Sequence, residues 1–229
     1  MTASHPLDNP ARAALLGTQM HLAERCGQVL RYPADISPFV ALPDDPRPGD
    51  WDDLARLVGP DGVAATAGVP AVPPPGWQVL MNLAGVQFTG EHVAAEPASD
   101  AVPLGPSDVP EMLDLVARTQ PGPFLPRTIE LGGYVGVRRN GGLVAMAGER
   151  LRPPGWSEIS AVCTDADFRG EGLATRLTLD VASAIISRGE MPFLHASADN
   201  VNAIRLYETL GFRLRRAVTF VVMRAPQVG

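Results

Sequence analysis

Lysine is absent: all 19 basic residues of this 229-residue chain are arginine. That excludes Schiff-base chemistry, a pyridoxal-phosphate anchor and the lysine of a Walker loop, because each needs a side-chain amine. Cysteine is scarce as well. Cys26 and Cys163 are the two present, with no Cys-x-x-Cys spacing, so no disulfide framework can be read. The four histidines, His5, His21, His92 and His195, are scattered and form no metal-ligand spacing, so no metal is expected. No run of about 18 apolar residues is available to span a bilayer. Met1–Pro10 is polar and lacks the apolar centre of a secretory signal. The expectation is a cytoplasmic protein without a membrane partner.

What is present is ordinary for a globular chain: 45% apolar and 19% charged residues. The net charge of −6 lies wholly in residues 1–99, and residues 100–229 are balanced. A nucleic-acid footprint would need a basic face, which this balance argues against. An amine-bearing partner is compatible with the acidity, although solubility alone explains it. Proline divides the chain too, with 19 of 23 before residue 127.

Asn9 as cap and Pro10 at the first helical position open a helix, with Leu15, Leu22, Cys26 and Val29 on one face. A short helix follows Asp50, Pro70–Pro75 is loop, and Trp77–Phe88 alternates as a strand. The acidic group Asp44, Asp45, Asp50, Asp52 and Asp53 reads as a solvated loop and a negatively charged helix start. Glu96–Ser99 has linker composition. Beyond it come a helix over Ser107–Thr119 and a hairpin, Tyr134–Arg139 and Leu143–Arg150, turned by Asn140-Gly141. A strand (Ile159–Thr164), a helix (Gly170–Arg188), a strand (Phe193–Ala196), a helix (Asn200–Leu210) closed by Gly211, and a strand (Val218–Met223) complete the pattern. That order implies a mixed α/β fold.

The strand Ile159–Thr164 feeds Arg169-Gly170-Glu171-Gly172-Leu173-Ala174-Thr175 and then a helix. Free N–H groups at such a helix start, with glycines that let phosphate oxygens approach, make an anion site. A plain turn is the alternative. A dinucleotide site fits poorly, since Thr175 stands where a third glycine is needed and no acid ends the next strand near His195 and Ala196. The second informative segment is Asn200-x-x-Ala203-x-x-Leu206-Tyr207-x-x-x-Gly211-Phe212.

Together the two segments resemble the GCN5-related N-acetyltransferases (GNAT), over about residues 100–224. The resemblance implies a central mixed sheet with two splayed strands and flanking helices. It assigns residues 98–229 to the transferase domain and leaves residues 1–97 as an extension or a partial, degenerate copy of that fold. It implies acetyl-CoA as co-substrate: Val162, Cys163 and Thr164 beside pantetheine, Arg169–Thr175 around pyrophosphate, and Asn200 on the pantetheine arm or as a cap. Tyr207 would protonate the departing thiolate, with a packed core aromatic as the alternative. Glu158 would be the base, with Glu149 or solvent as alternatives. His195 would face the acceptor or be structural. The acceptor would be an amine-bearing small molecule or peptide, its selection lying in loops such as Gln120–Arg127, and a homodimer is compatible. The rival is a non-catalytic acyl-CoA-binding module.

Overall fold

Helix caps and glycines set the element boundaries. The computed structural model describes residues 5–68 and 72–227. Its contacts divide the chain into two units: Met1–Gly85 with Leu151–Pro154 and Ala217–Gly229, and Val86–Arg150 with Gly155–Arg216.

In the first unit, Asn9 caps α1 (Pro10–Leu16) by accepting the Arg12 N–H, with Pro10 at the first helical position. The helix stops there and does not continue to Val29. Chain around Gly17 turns away from helical geometry, and Gly27, at φ +54°, closes a hairpin between β1 (Glu24–Cys26) and β2 (Val29–Arg31). The apolar spacing of Leu22, Cys26 and Val29 thus belongs to a short 3-10 turn and two strands. β3 (Val40–Ala41) completes a three-stranded sheet. The helix α2 (Pro48–Val58) buries Trp51 and Leu54, and β4 (Val63–Ala67) pairs antiparallel with the later strand β11 (Arg213–Arg224). Val29, Leu42, Trp51, Leu54, Val221 and Met223 form this unit's core. Of the Pro70–Pro75 loop, residues 70 and 71 lie outside the described residues; 72–75 are irregular. The strand read at Trp77–Phe88 is β5 (Gln78–Thr89), with Val79 and Met81 exposed.

The second unit holds β6 (Val102–Leu104), α3 (Val109–Thr119), β7 (Tyr134–Arg139), β8 (Gly142–Glu149), β9 (Trp156–Thr164), α4 (Leu173–Ser187), β10 (Met191–Ser197) and α5 (Val201–Thr209). Asn140 and Gly141, at φ +51° and +84°, make the β7–β8 turn as their sequence requires. The strands lie in the order β10-β9-β8-β7-β6, antiparallel except for the β9–β10 pair. One face packs under α4 and α5 through Ile159, Leu177, Val181, Leu194 and Tyr207. The other packs under α3 through Met112, Leu115, Phe124, Tyr134, Met146 and Cys163. Glu96–Ser99 is irregular, and Ala98 N–H is held by Asp180 of α4 at 2.8 Å.

A candidate acyl-transfer site between two diverging strands

β9 and β10 run parallel from Trp156/Met191 to Ile159/Leu194, where pairing ends. Both continue, β9 to Thr164 and β10 to Ser197, so among the described residues no strand pairs with this edge of β9 from Ser160 onward. At Ala161 the backbone takes φ +54°, and the β8–β9 register shifts between Met146 and Gly148. Such a bulge bends a strand and increases its twist. This is the splay expected for Val162, Cys163 and Thr164. The Cys163 thiol itself lies in the α3-side core, and burial pushes its pKa up, so it is a packing group rather than a nucleophile.

Beyond β9 and a 3-10 turn, Ala166–Phe168, lies the loop Arg169–Gly172, which is exposed. Gly170 and Gly172 adopt φ +86° and +74°, where a side chain would be strained. Gly172 is the N-cap of α4 and has no side chain to bond the first-turn N–H groups; no acid stands in that turn. Those N–H groups and the helix dipole face the loop, which favours an anion. Arg176 braces the loop by donating to Glu171 O at 2.9 Å, and Arg169 Nε donates to Thr164 O. Among the described residues no group of three or more His, Cys, Asp or Glu side chains is placed to hold a metal ion.

Asn200 caps α5, accepting the Ala203 N–H at 3.1 Å. Tyr207 packs between the rings of Phe88 and Phe212, at 6.3 and 6.0 Å between centroids. Burial pushes its phenol up to about 12, so it stays protonated at neutral pH, as a proton donor must.

Glu158, expected as the base, sits in a network of charged and polar partners. It is wholly buried, with Arg150 donating to both carboxylate oxygens at 2.9 and 2.7 Å and His195 Nδ1 at 2.7 Å from Oε1. Burial alone would raise its pKa, but the Arg150 charge and the hydrogen bonds from His195 and Arg150 outweigh it and hold the carboxyl at about 2. Such a carboxylate takes no proton at neutral pH. Glu149, the alternative, accepts from Ser157 Oγ at 2.5 Å and pairs with Arg188 at the far end of α4 from the anion loop.

Arg150, Gln87 and Arg215 are site residues that the sequence reading missed. Arg215 Nη1 donates to Gln87 Oε1 at 2.8 Å, which turns the Gln87 amide nitrogen toward His195 Nε2 at 3.0 Å. An arginine is only a donor, so the chain has one polarity. His195 Nε2 accepts, and Nδ1–H donates to Glu158. His195 is the first β10 residue beyond the last β9 pair, so this relay stands where the strands part.

The family model of the FR47-like proteins matches residues 134–221. N-alpha-acetyltransferase RimI of Mycobacterium tuberculosis (strain H37Rv) is 35% identical over 83 residues, which is 35% of this chain; the chain spans about half (51%) of that protein. A crystal structure of a GNAT-family acetyltransferase from Novosphingobium aromaticivorans is 40% identical, with TM-score 0.89 over 98% of this chain and 100% of the other. A GCN5-related N-acetyltransferase from Kribbella flavida, 17% identical over 95% of each chain, shares the fold at TM-score 0.61. Full-length identity at that level, on a sheet that splays where the motifs require, places this chain in the GCN5-related N-acetyltransferase (GNAT) family.

Proposed function

We propose that the protein is an acetyl-CoA-dependent N-acetyltransferase acting by direct transfer within a ternary complex. The observation that carries this reading is the end of β9–β10 pairing at Ile159/Leu194 beside a glycine loop on an uncapped helix start. The unpaired β9 edge, Ser160–Thr164, offers backbone groups to a pantetheine arm, and Arg169–Thr175 receive the pyrophosphate. With pyrophosphate on that loop, the arm runs back along the edge and sets the thioester toward its Ser160 end. A backbone N–H at this edge polarises the carbonyl.

The acceptor enters as a neutral amine. Its nitrogen bonds to the carbonyl carbon, the carbon–sulfur bond breaks, and the electron pair leaves on sulfur. The amine proton passes to water, and Tyr207 gives its proton to the thiolate and regains one from solvent. Rate is gained mainly from holding amine and thioester together. Glu158 and Arg150 keep the relay at the cleft fixed and take no proton. In this reading residues 98–229 carry the reaction, Gln87 and Phe88 join them from the preceding strand, and the rest of residues 1–97 is an extension.

RimI acts, by its name, on α-amines, so an N-terminal α-amine of a peptide is the first acceptor class to try, and small-molecule amines the second. A panel of peptides, amino acids and amines, assayed for thiol release from acetyl-CoA in the cytoplasmic pH range, tests the function. Amine-dependent release supports it; acetyl-CoA binding without release by any amine supports the non-catalytic acyl-CoA-binding module.

A further inference from the structure

We infer that Tyr134 is an acceptor-binding residue, its hydroxyl receiving an N–H of the amine to be acetylated; this rests on the transferase reading above. Tyr134 is the first residue of β7 and 3% exposed. Its hydroxyl has no hydrogen-bond partner among the described residues, which is a costly condition for a buried polar group and leaves it free to bond a ligand.

The register shows where that hydroxyl goes. Tyr134 pairs with Gly148 on β8, and Gly148 pairs with Ser160 on β9. A side-chain carbon at Gly148 would lie 2.2–2.5 Å from three atoms of the Tyr134 ring, so the ring lies across β8 through the space that this glycine vacates. Beyond Gly148 is Ser160, the first β9 residue without a β10 partner. The hydroxyl there feels the charges of Arg150 and Glu158. Glu158 and Ser160 alternate along β9 and so share the α3 side of the sheet with Tyr134.

The thioester end of the donor groove and the orphan hydroxyl therefore meet at one row of the sheet. Burial pushes the phenol upward, so it remains protonated and serves as a hydrogen-bond partner rather than a base. Accepting one amine N–H, it turns the nitrogen lone pair toward the carbonyl carbon. Phe124, from the segment between α3 and β7, stands edge-on against the ring at 5.5 Å between centroids.

Tyr134→Phe in the full-length protein tests this, with thiol release measured on a peptide bearing an N-terminal alanine and, in parallel, on a primary alkylamine. For whichever amine is turned over, kcat/KM should fall about tenfold, with the KM for acetyl-CoA unchanged. The melting temperature should stay level or rise, because the variant loses a hydroxyl that bonds nothing in the free protein. An unchanged acceptor kcat/KM overturns the inference. So does a melting temperature lowered by more than about 2 °C, which marks the hydroxyl as structural. A wild-type protein that releases no thiol with either amine contradicts the transferase reading itself, and the inference falls with it.

Discussion

His195 Nδ1 and Glu158 Oε1 lie 2.7 Å apart, with both side chains almost wholly out of water. Because Gln87, fixed by Arg215, occupies Nε2, this contact is an N–H donated to a carboxylate that stays ionised. In the proposed reading Glu158 orders the cleft without exchanging protons. The deficit of Glu158→Gln in kcat should be the same from about pH 6 to about pH 9. A deficit that shrinks as pH rises, where more acceptor is already deprotonated, would restore Glu158 as the base.

The same carboxylate sets an acid limit on the fold. Its folded pKa, about 2, lies below the ordinary 4.5, so its contribution to stability is fully present above about pH 4.5 and is lost as pH falls toward 2. The size is about 3 kcal/mol. Denaturant melts of wild type should lose that amount across this window. Glu158→Gln should lack that part of the acid dependence and be less stable at neutral pH by roughly 3–5 kcal/mol, since Arg150 is then buried without its partner. Parallel acid profiles for the two proteins would contradict the pairing.

Gly172→Asp should weaken CoA binding more than Gly172→Asn does. Both substitutions place a side chain at φ +74°, a conformation Asn and Asp tolerate better than most residues. Only Asp adds a negative charge at the anion loop. Calorimetric titration with CoA checks this, and equal affinities for the two variants would move the pyrophosphate elsewhere.

Tyr207→Phe keeps the ring between Phe88 and Phe212 and deletes the hydroxyl proposed as proton donor. We expect kcat to fall while acetyl-CoA affinity and melting temperature stay near wild type. The loss should be about 10²-fold or less, because a thiolate is already a good leaving group. Unchanged kcat with a lowered melting temperature would make Tyr207 a packing residue.

Local chemistry made much of the second unit legible. Asn140-Gly141 forces its turn, Asn200 caps its helix, and Gly170 and Gly172 take the positive φ that their place before α4 demands. The first helix was misread beyond Gly17, because apolar spacing alone does not separate a helix from a 3-10 turn followed by a hairpin. β9 begins at Trp156, three residues before the expected strand, and so includes Glu158; its partners are Arg150 and His195, 37 residues away, and sequence does not show which charges meet across a sheet. Tyr134 was missed for the same reason. The available sign was Gly148 inside a strand, which marks a close approach by something else.

The melting temperature of the full-length protein with and without acetyl-CoA decides whether the splayed strands form an acyl-CoA site. Ligand at 100 times its Kd adds about 2.7 kcal/mol. For a chain of this size that corresponds to a rise of roughly 5–10 °C. We expect that rise with wild type and a smaller one with Gly172→Asp. No rise with acetyl-CoA or CoA at millimolar concentration would contradict the assignment of the β9 edge and the Arg169–Thr175 loop as the acyl-CoA site.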